Sequence, residues 1–193
     1  MTRIALCGVG ALGSHAALFF RNLEATLVLV DFDRVESKNL LSQAFVKASL
    51  GKNKAEAMKA QLFNFYGTRA EAFAVRLGAD NVETVLSRAD LVVDCFDNAA
   101  SRRVTSQHAR ARGTPLVHAG LSGDGTFGLV RWDERFVADE EDVPGQATCE
   151  TGAHLPLVAQ VAAALARVVQ DFLVSSERRD ALVSLKAVTP SAL

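Results

Sequence analysis

The sequence predicts an α/β fold: a Rossmann-like, doubly wound, mostly parallel sheet, with antiparallel strands in its C-terminal part. Three observations carry this prediction. Strand-like apolar runs alternate with helical patterns through the first half of the chain. Two of those runs, 26–30 (TLVLV) and 91–95 (LVVDC), are continuously apolar or nearly so, as befits strands covered on both faces. A Gly-rich turn, CGVGALG at 7–13, joins the first strand to the first helix.

The elements follow in order. Residues 3–7 read as a strand, 11–23 as a helix and 26–30 as the second strand. Residues 52–65 read as a helix, because Ala55, Met58, Leu62 and Phe65 recur on one face. Residues 70–75 form a strand, and 80–88 a short helix capped by Asp80. After the strand at 91–95 comes a helix over 99–112, ended by Gly113. Residues 115–119 and 127–132 are strands around the turn LSGDG, which predicts a hairpin. Residues 135–147 are acidic and irregular, as a surface loop would be. Residues 154–173 make a long, almost wholly apolar, buried helix, and 181–188 a last edge strand.

Composition narrows the class. A chain of 193 residues suits one domain spanning 1–193, and 49% hydrophobic with 22% charged residues can bury a full core. A formal net charge of −1 argues against a nucleic-acid partner held by many phosphate contacts. No apolar run is read as membrane-spanning, and the start MTRIALCGVG enters a strand directly, without a signal peptide. Cys7, Cys95 and Cys149 are far apart, and no Cys-x-x-Cys pair exists. The expectation is a reduced, cytoplasmic protein without a structural zinc. His15, His108, His118 and His154 form no cluster in sequence, so ordinary strand or helix positions are expected for them.

Candidate chemistry starts at the glycines. Gly8, Gly10 and Gly13 form G-x-G-x-x-G at a strand-to-helix junction, where backbone can approach a ligand and a helix N-terminus favours anions. Asp31 ends the second strand, where a carboxylate can accept ribose hydroxyls. Asp33 either joins it or caps the turns that follow. Residues 30–54, VDFDRVESKNLLSQAFVKASLGKNK, form a long polar connection, more than a plain dinucleotide fold needs.

Together these segments resemble the ThiF/MoeB family, bacterial relatives of the ubiquitin-activating enzymes. The resemblance rests on CGVGALGS, LVLVDFDRVESKNLLSQ, GKNKAEA, LVVDCFDN and ATCETGAHLPLVAQVAAALA in one order. It implies ATP-dependent adenylation of the C-terminal carboxylate of a ubiquitin-like or sulfur-carrier protein with a flexible tail, with Mg²⁺ and a homodimer. By position it implies Asp31 at the ribose, Asn39 near the phosphates, Gln43 shaping the same loop and Lys54 on the phosphates. Asp97 would coordinate Mg²⁺, Arg102 would be structural, and Cys149 would match a cysteine that takes part in sulfur transfer in some members. Cys149 stands beside Glu150, which is not a setting that lowers a thiol pKa. Cys7 and Cys95 read as inert core residues.

The chemistry is self-consistent. The attacking carboxylate, with a pKa of about 3.3–3.7, is already ionised at neutral pH, so no general base is required. Attack on the α-phosphate brings like charges together, and cations must offset this. The sequence departs from the family pattern where Asn-x-x-Arg-Gln becomes Asn39-Leu40-Leu41-Ser42-Gln43, with serine in place of a phosphate-binding arginine. Losing such a contact costs on the order of 10²–10³ in rate, by analogy with an oxyanion donor. Arg34, Lys38 or Lys52 could compensate. Larger relatives also carry an N-terminal arm and a zinc module, whereas here Arg3 stands at the first strand and the crossover over 120–149 is short. The alternatives are a catalytically degenerate nucleotide- and partner-binding protein, adenylation of a peptide or modified tRNA base, and an NAD-dependent oxidoreductase. The last leaves Asn39, Gln43, Lys54 and Asp97 without a role.

Overall fold

The computed structural model describes residues 1–137 and 152–184. Among these residues seven strands form one sheet: β1 (Thr2–Cys7), β2 (Ala25–Val30), β3 (Ala70–Phe73), β4 (Leu91–Asp94), β5 (Leu116–Leu121), β6 (Phe127–Trp132) and β7 (Ala181–Ser184). Their order is β3-β2-β1-β4-β5-β6-β7. The first five pair in parallel, and β6 and β7 join antiparallel, as expected from the hairpin turn and the edge strand.

Strand alternation divides the core. Ile4, Leu6, Leu27, Leu29 and Val93 face one layer, with Met58, Leu62, Leu157 and Leu165. Ala5, Cys7, Val28, Val30 and Val92 face the other, with Val82, Leu86 and Ala109. Helices α1 (Ala11–Phe20), α2 (Lys54–Tyr66) and α5 (Leu155–Ser175) supply the first layer, and α3 (Val82–Leu86) and α4 (Ala99–Arg112) the second. Strands buried on both faces account for the continuous apolar runs.

Caps set the helix limits. Asn53 accepts the Glu56 N–H at 3.1 Å, so α2 begins at Lys54 rather than at residue 52. Asn98 does the same for α4, accepting Ser101 N–H at 2.9 Å. Both helices end on left-handed glycines, Gly67 (φ 69°) and Gly113 (φ 66°).

Several expectations need correction. α1 stops at Phe20, because a turn must return the chain to β2 by Ala25. Phe65 is 66% exposed, in the last turn before Gly67, and is not part of the packed face. Asp80 does not cap α3; that helix starts at Val82, after a turn in which Asn81 accepts the Gly78 N–H at 3.0 Å. α5 is buried on one face only, with Arg167 and Gln170 outside. It is also 21 residues long and apolar enough to cross a membrane by length and composition. Here it packs instead against α1 and the sheet. Residues 133–135 form a 3-10 turn, while most of the acidic 135–147 stretch, Cys149 and the strand beyond 184 lie outside the described residues.

Candidate nucleotide site

From β1 the chain winds outward through β2 to β3, then returns to the other side of β1 at β4 and continues to β5. That reversal opens a crevice beyond the C-terminal ends of β1 and β4, the usual ligand position in open α/β sheets. Gly8 follows β1, Asp31 follows β2 and Asp97 lies just beyond β4. Lys54 starts α2 at the end of the connection from β2. The predicted residues therefore gather along one edge of the sheet.

The three glycines differ in kind. A Cβ on Gly13 would meet the Gly8 carbonyl oxygen at 1.8 Å, so this glycine lets α1 close onto the turn. Gly8 has φ +85°, and a Cβ there would meet Cys95 and Phe96 backbone at 2.9 Å. Gly10, the N-cap of α1, would meet nothing within 4 Å. Packing explains Gly8 and Gly13. At Gly10 the missing side chain leaves open space at a helix N-terminus, a fitting cradle for an anion.

Asp31 is buried and fixes this turn. Its Oδ2 accepts the Val9 N–H at 2.7 Å, and its Oδ1 accepts the Asp33 N–H at 2.8 Å. Each oxygen retains a lone pair suited to a hydroxyl donor. Burial pushes the Asp31 carboxyl up, against the pull of Lys54 and the two N–H donors. Asp33 does not cap the turns after it. Its carboxylate meets Lys54 Nζ at 3.0 Å, and its carbonyl accepts the Lys54 N–H at 2.8 Å. Asn53, which sequence reasoning missed, donates to the Asp31 carbonyl at 2.8 Å and so closes the connection. Its signal was an asparagine directly before a helical pattern.

Within the connection, Asn39 is buried. Its Oδ1 accepts the Glu36 N–H at 2.9 Å, and its carbonyl accepts the Gln43 N–H at 2.8 Å. Ser42 is 2% exposed, and among the described residues its Oγ and the Gln43 Oε1 are buried without hydrogen-bond partners. The next residue, Ala44, donates its N–H to Ser14 Oγ at 2.9 Å, which docks this segment on α1. His15 Nε2 lies 3.2 Å from the Ser42 carbonyl. Burial pulls the His15 imidazole below its usual range, partly offset by that contact, so it does not replace a permanent cation. Of the candidate substitutes, Arg34 donates to the Gly51 carbonyl at 2.7 Å, Lys38 pairs with Glu36 at 3.6 Å, and Lys52 is exposed. Arg3 is committed to Glu71 through contacts of 2.7 and 2.9 Å.

Beyond β4, Asn98 performs the capping, which leaves Asp97 as an exposed carboxylate at the crevice. Among the described residues no group of three or more His, Cys, Asp or Glu is arranged to hold a metal. Asp97 alone could hold Mg²⁺ only together with a substrate's phosphate oxygens, since that ion often relies on one or two carboxylates plus such oxygens. Arg102 is structural here: it donates to the Phe96 carbonyl at 2.7 Å and to the Ala119 carbonyl at 3.2 Å. Burial pushes the thiols of Cys7 and Cys95 up, in keeping with inert residues. Cys149 lies outside the described residues.

Sequence reasoning missed a buried polar group next to this edge: Asp94, His118 and Asp133, with His118 between the two aspartates at 2.7 and 3.0 Å. The four histidines do not cluster with one another, but His118 is more than an ordinary strand residue. The signal was a polar residue inside the apolar runs LVVD and PLVHA, since buried polar groups require partners.

An open α/β sheet with a Gly-rich turn after β1, an aspartate after β2 and a reversal of strand order between β1 and β4 is the architecture of Rossmann-type domains. Residues 1–188 match the ThiF family, and the chain belongs to it. It is 32% identical over 127 residues to the sulfur carrier protein ThiS adenylyltransferase of Escherichia coli (strain K12), covering 64% of this chain and 51% of that protein. It is 34% identical over 146 residues to the adenylyltransferase and sulfurtransferase uba4 of Aspergillus niger, covering 74% and 30%. The matched region thus spans about half or less of these curated relatives. Escherichia coli MccB, solved with MccA-N7isoASN, superposes with a TM-score of 0.74 at 18% identity, over 95% of this chain and 64% of that one. E. coli TcdA, a tRNA N6-threonylcarbamoyladenosine dehydratase solved with ATP, gives 0.68 at 17%, over 91% and 88%. At these identities the two structures bear on the fold alone.

Proposed function

We propose that this protein is an ATP-dependent adenylyltransferase that activates the C-terminal carboxylate of a small ubiquitin-like or sulfur-carrier protein. The observation that carries the reading is the convergence of Gly10, Asp31, Lys54 and Asp97 at the switch-point edge. The triphosphate would lie over the open Gly10 cradle and the α1 N-terminus, with its ribose at Asp31. Lys54, now held by Asp33, would turn to the phosphates. Asp97 would hold Mg²⁺, which supplies charge neutralisation on the phosphate oxygens when bound. The carrier carboxylate oxygen then bonds to the α-phosphorus, the bond from that phosphorus to the bridging oxygen breaks, and pyrophosphate leaves with the electron pair. Because the nucleophile arrives ionised, the site's task is positioning and charge rather than proton transfer.

The adenylyltransferase relatives named above support this chemistry. A homodimer and a cytoplasmic location belong to the same proposal. The direct test is intact-mass measurement of carrier proteins from the same genome after incubation with ATP and Mg²⁺. An acyl-adenylate on one of them supports the reading, and unmodified masses throughout reject it. One observation favours a second reading, a degenerate nucleotide-binding member: the buried, uncharged Ser42 in the phosphate loop. Calorimetric binding of Mg-ATP without AMP release on adding any carrier would select it.

A further inference from the structure

His118, in β5, is 1% exposed and carries its ring between two buried carboxylates. Nδ1 stands 2.7 Å from Asp94 Oδ2, and Nε2 stands 3.0 Å from Asp133 Oδ1. A ring with hydrogen on both nitrogens donates to both at once. Phe136 stacks on the ring, with centroids 3.8 Å apart and planes 14° apart, which restrains its rotation. Asp133 is anchored in turn by Ser106 Oγ at 2.6 Å and Arg110 Nε at 2.6 Å.

The other end of this chain of contacts reaches the candidate site. The second oxygen of Asp94, Oδ1, accepts the Phe96 N–H at 2.9 Å. Arg102 Nε donates to the Phe96 carbonyl at 2.7 Å and stands 3.9 Å from Asp94 Oδ2. Both backbone groups of Phe96, the residue directly before Asp97, are thus tied into the network. β4 and β5 are already paired in register from Val92↔Leu116 to Asp94↔His118. What His118 adds is a fixed Asp94 carboxylate, and through it a fixed backbone leading into Asp97.

We propose that His118 is a positioning residue of the metal–nucleotide site, acting through Asp94 on the Phe96–Asp97 backbone. The proposal rests on the reading of Asp97 as the Mg²⁺ ligand. Two substitutions separate it from a merely structural role. Asparagine reproduces the Nδ1–H donor towards Asp94, and glutamine reproduces the Nε2–H donor towards Asp133. The measurement is Mn²⁺ affinity by electron paramagnetic resonance, in the presence of a non-hydrolysable ATP analogue. Nucleotide affinity in EDTA and thermal melting serve as controls.

The expected result is that His118→Asn stays within about twofold of wild type while His118→Gln loses about tenfold, the lower end of what supporting partners of metal ligands contribute. Metal-free nucleotide affinity should be unchanged in both. Equal losses that follow the melting temperature, or no loss in either, would overturn it. If neither variant folds, Asp133→Asn decides: it leaves the Asp94–His118 contact, so Mn²⁺ affinity should hold, and a tenfold loss contradicts the proposal. If wild type takes up no Mn²⁺ with nucleotide, the functional reading fails, and Phe96 amide exchange tests the positioning role alone. Exchange about tenfold faster in His118→Gln than in His118→Asn supports it, and equal rates overturn it.

Discussion

Lys54 Nζ stands 3.0 Å from Asp33 Oδ2, with only 9% of the lysine side chain exposed. The stem is buried and the charge is aimed at a half-exposed carboxylate, and on the proposed function that charge turns to the phosphates. Lys54→Met keeps the packing and removes the charge. The expected outcome is a loss on the order of 10²–10³ in carrier-dependent turnover. The melting temperature should barely move, because a pair with one exposed partner contributes little to stability.

The glycines of the turn should separate packing from ligand binding. Gly13→Ala forces a Cβ to 1.8 Å from the Gly8 carbonyl and should strongly destabilise the fold, whereas at Gly10 a Cβ meets nothing within 4 Å. Gly10→Ala should therefore melt like wild type yet bind Mg-ATP at least about tenfold more weakly, because the methyl group fills the cradle. Melting curves and calorimetry on the two variants check both halves.

Restoring the family arginine should not raise activity. Ser42 is 2% exposed in a segment tied to α1, so Ser42→Arg would bury an unpaired charge. Breaking the balance of a buried charge costs roughly 3–5 kcal/mol. Urea denaturation should show a loss of this order with no gain in turnover.

Asp133 should leave a signature in acid. Burial raises its pKa, but hydrogen bonds from Arg110, Ser106 and His118 outweigh this and hold it below the usual 3.8. A depressed carboxylate contributes stability above its unfolded pKa and loses it as pH falls through the folded value. Wild type should exceed Asp133→Asn in stability at pH 6, keep most of that margin at about pH 4, and lose it only as pH falls through the folded value below 3.8. Denaturation midpoints of both proteins at pH 6 and at about pH 2 test the sign.

The fold was largely legible because both-face burial leaves an unmistakable trace: TLVLV and LVVD carry no alternation, and the turn between β1 and α1 leaves no room for a side chain at Gly8 and Gly13. Placement was legible where the local pattern is strong, as at Gly8, Asp31 and Lys54, which follow β1, follow β2 and open α2. It was not legible where contacts are long-range. His118 meets Asp94 across 24 residues and Asp133 across 15, and no local pattern pairs them. The division of labour between Asp97 and Asn98 was likewise hidden, since either residue type caps a helix and only the structure assigns that role to Asn98. Helix ends shifted where a cap, such as Asn53, outweighed the apolar period.

On the proposed function, this edge of the sheet joins a carrier carboxylate to the α-phosphate of ATP. The most direct measurement is exchange of labelled pyrophosphate into ATP with Mg²⁺ and the small Gly-Gly-ending proteins of the same genome. Exchange is expected with at least one carrier, none without a carrier, and none in Asp97→Asn. Absence of exchange with every carrier, in wild-type protein that binds Mg-ATP, would contradict it.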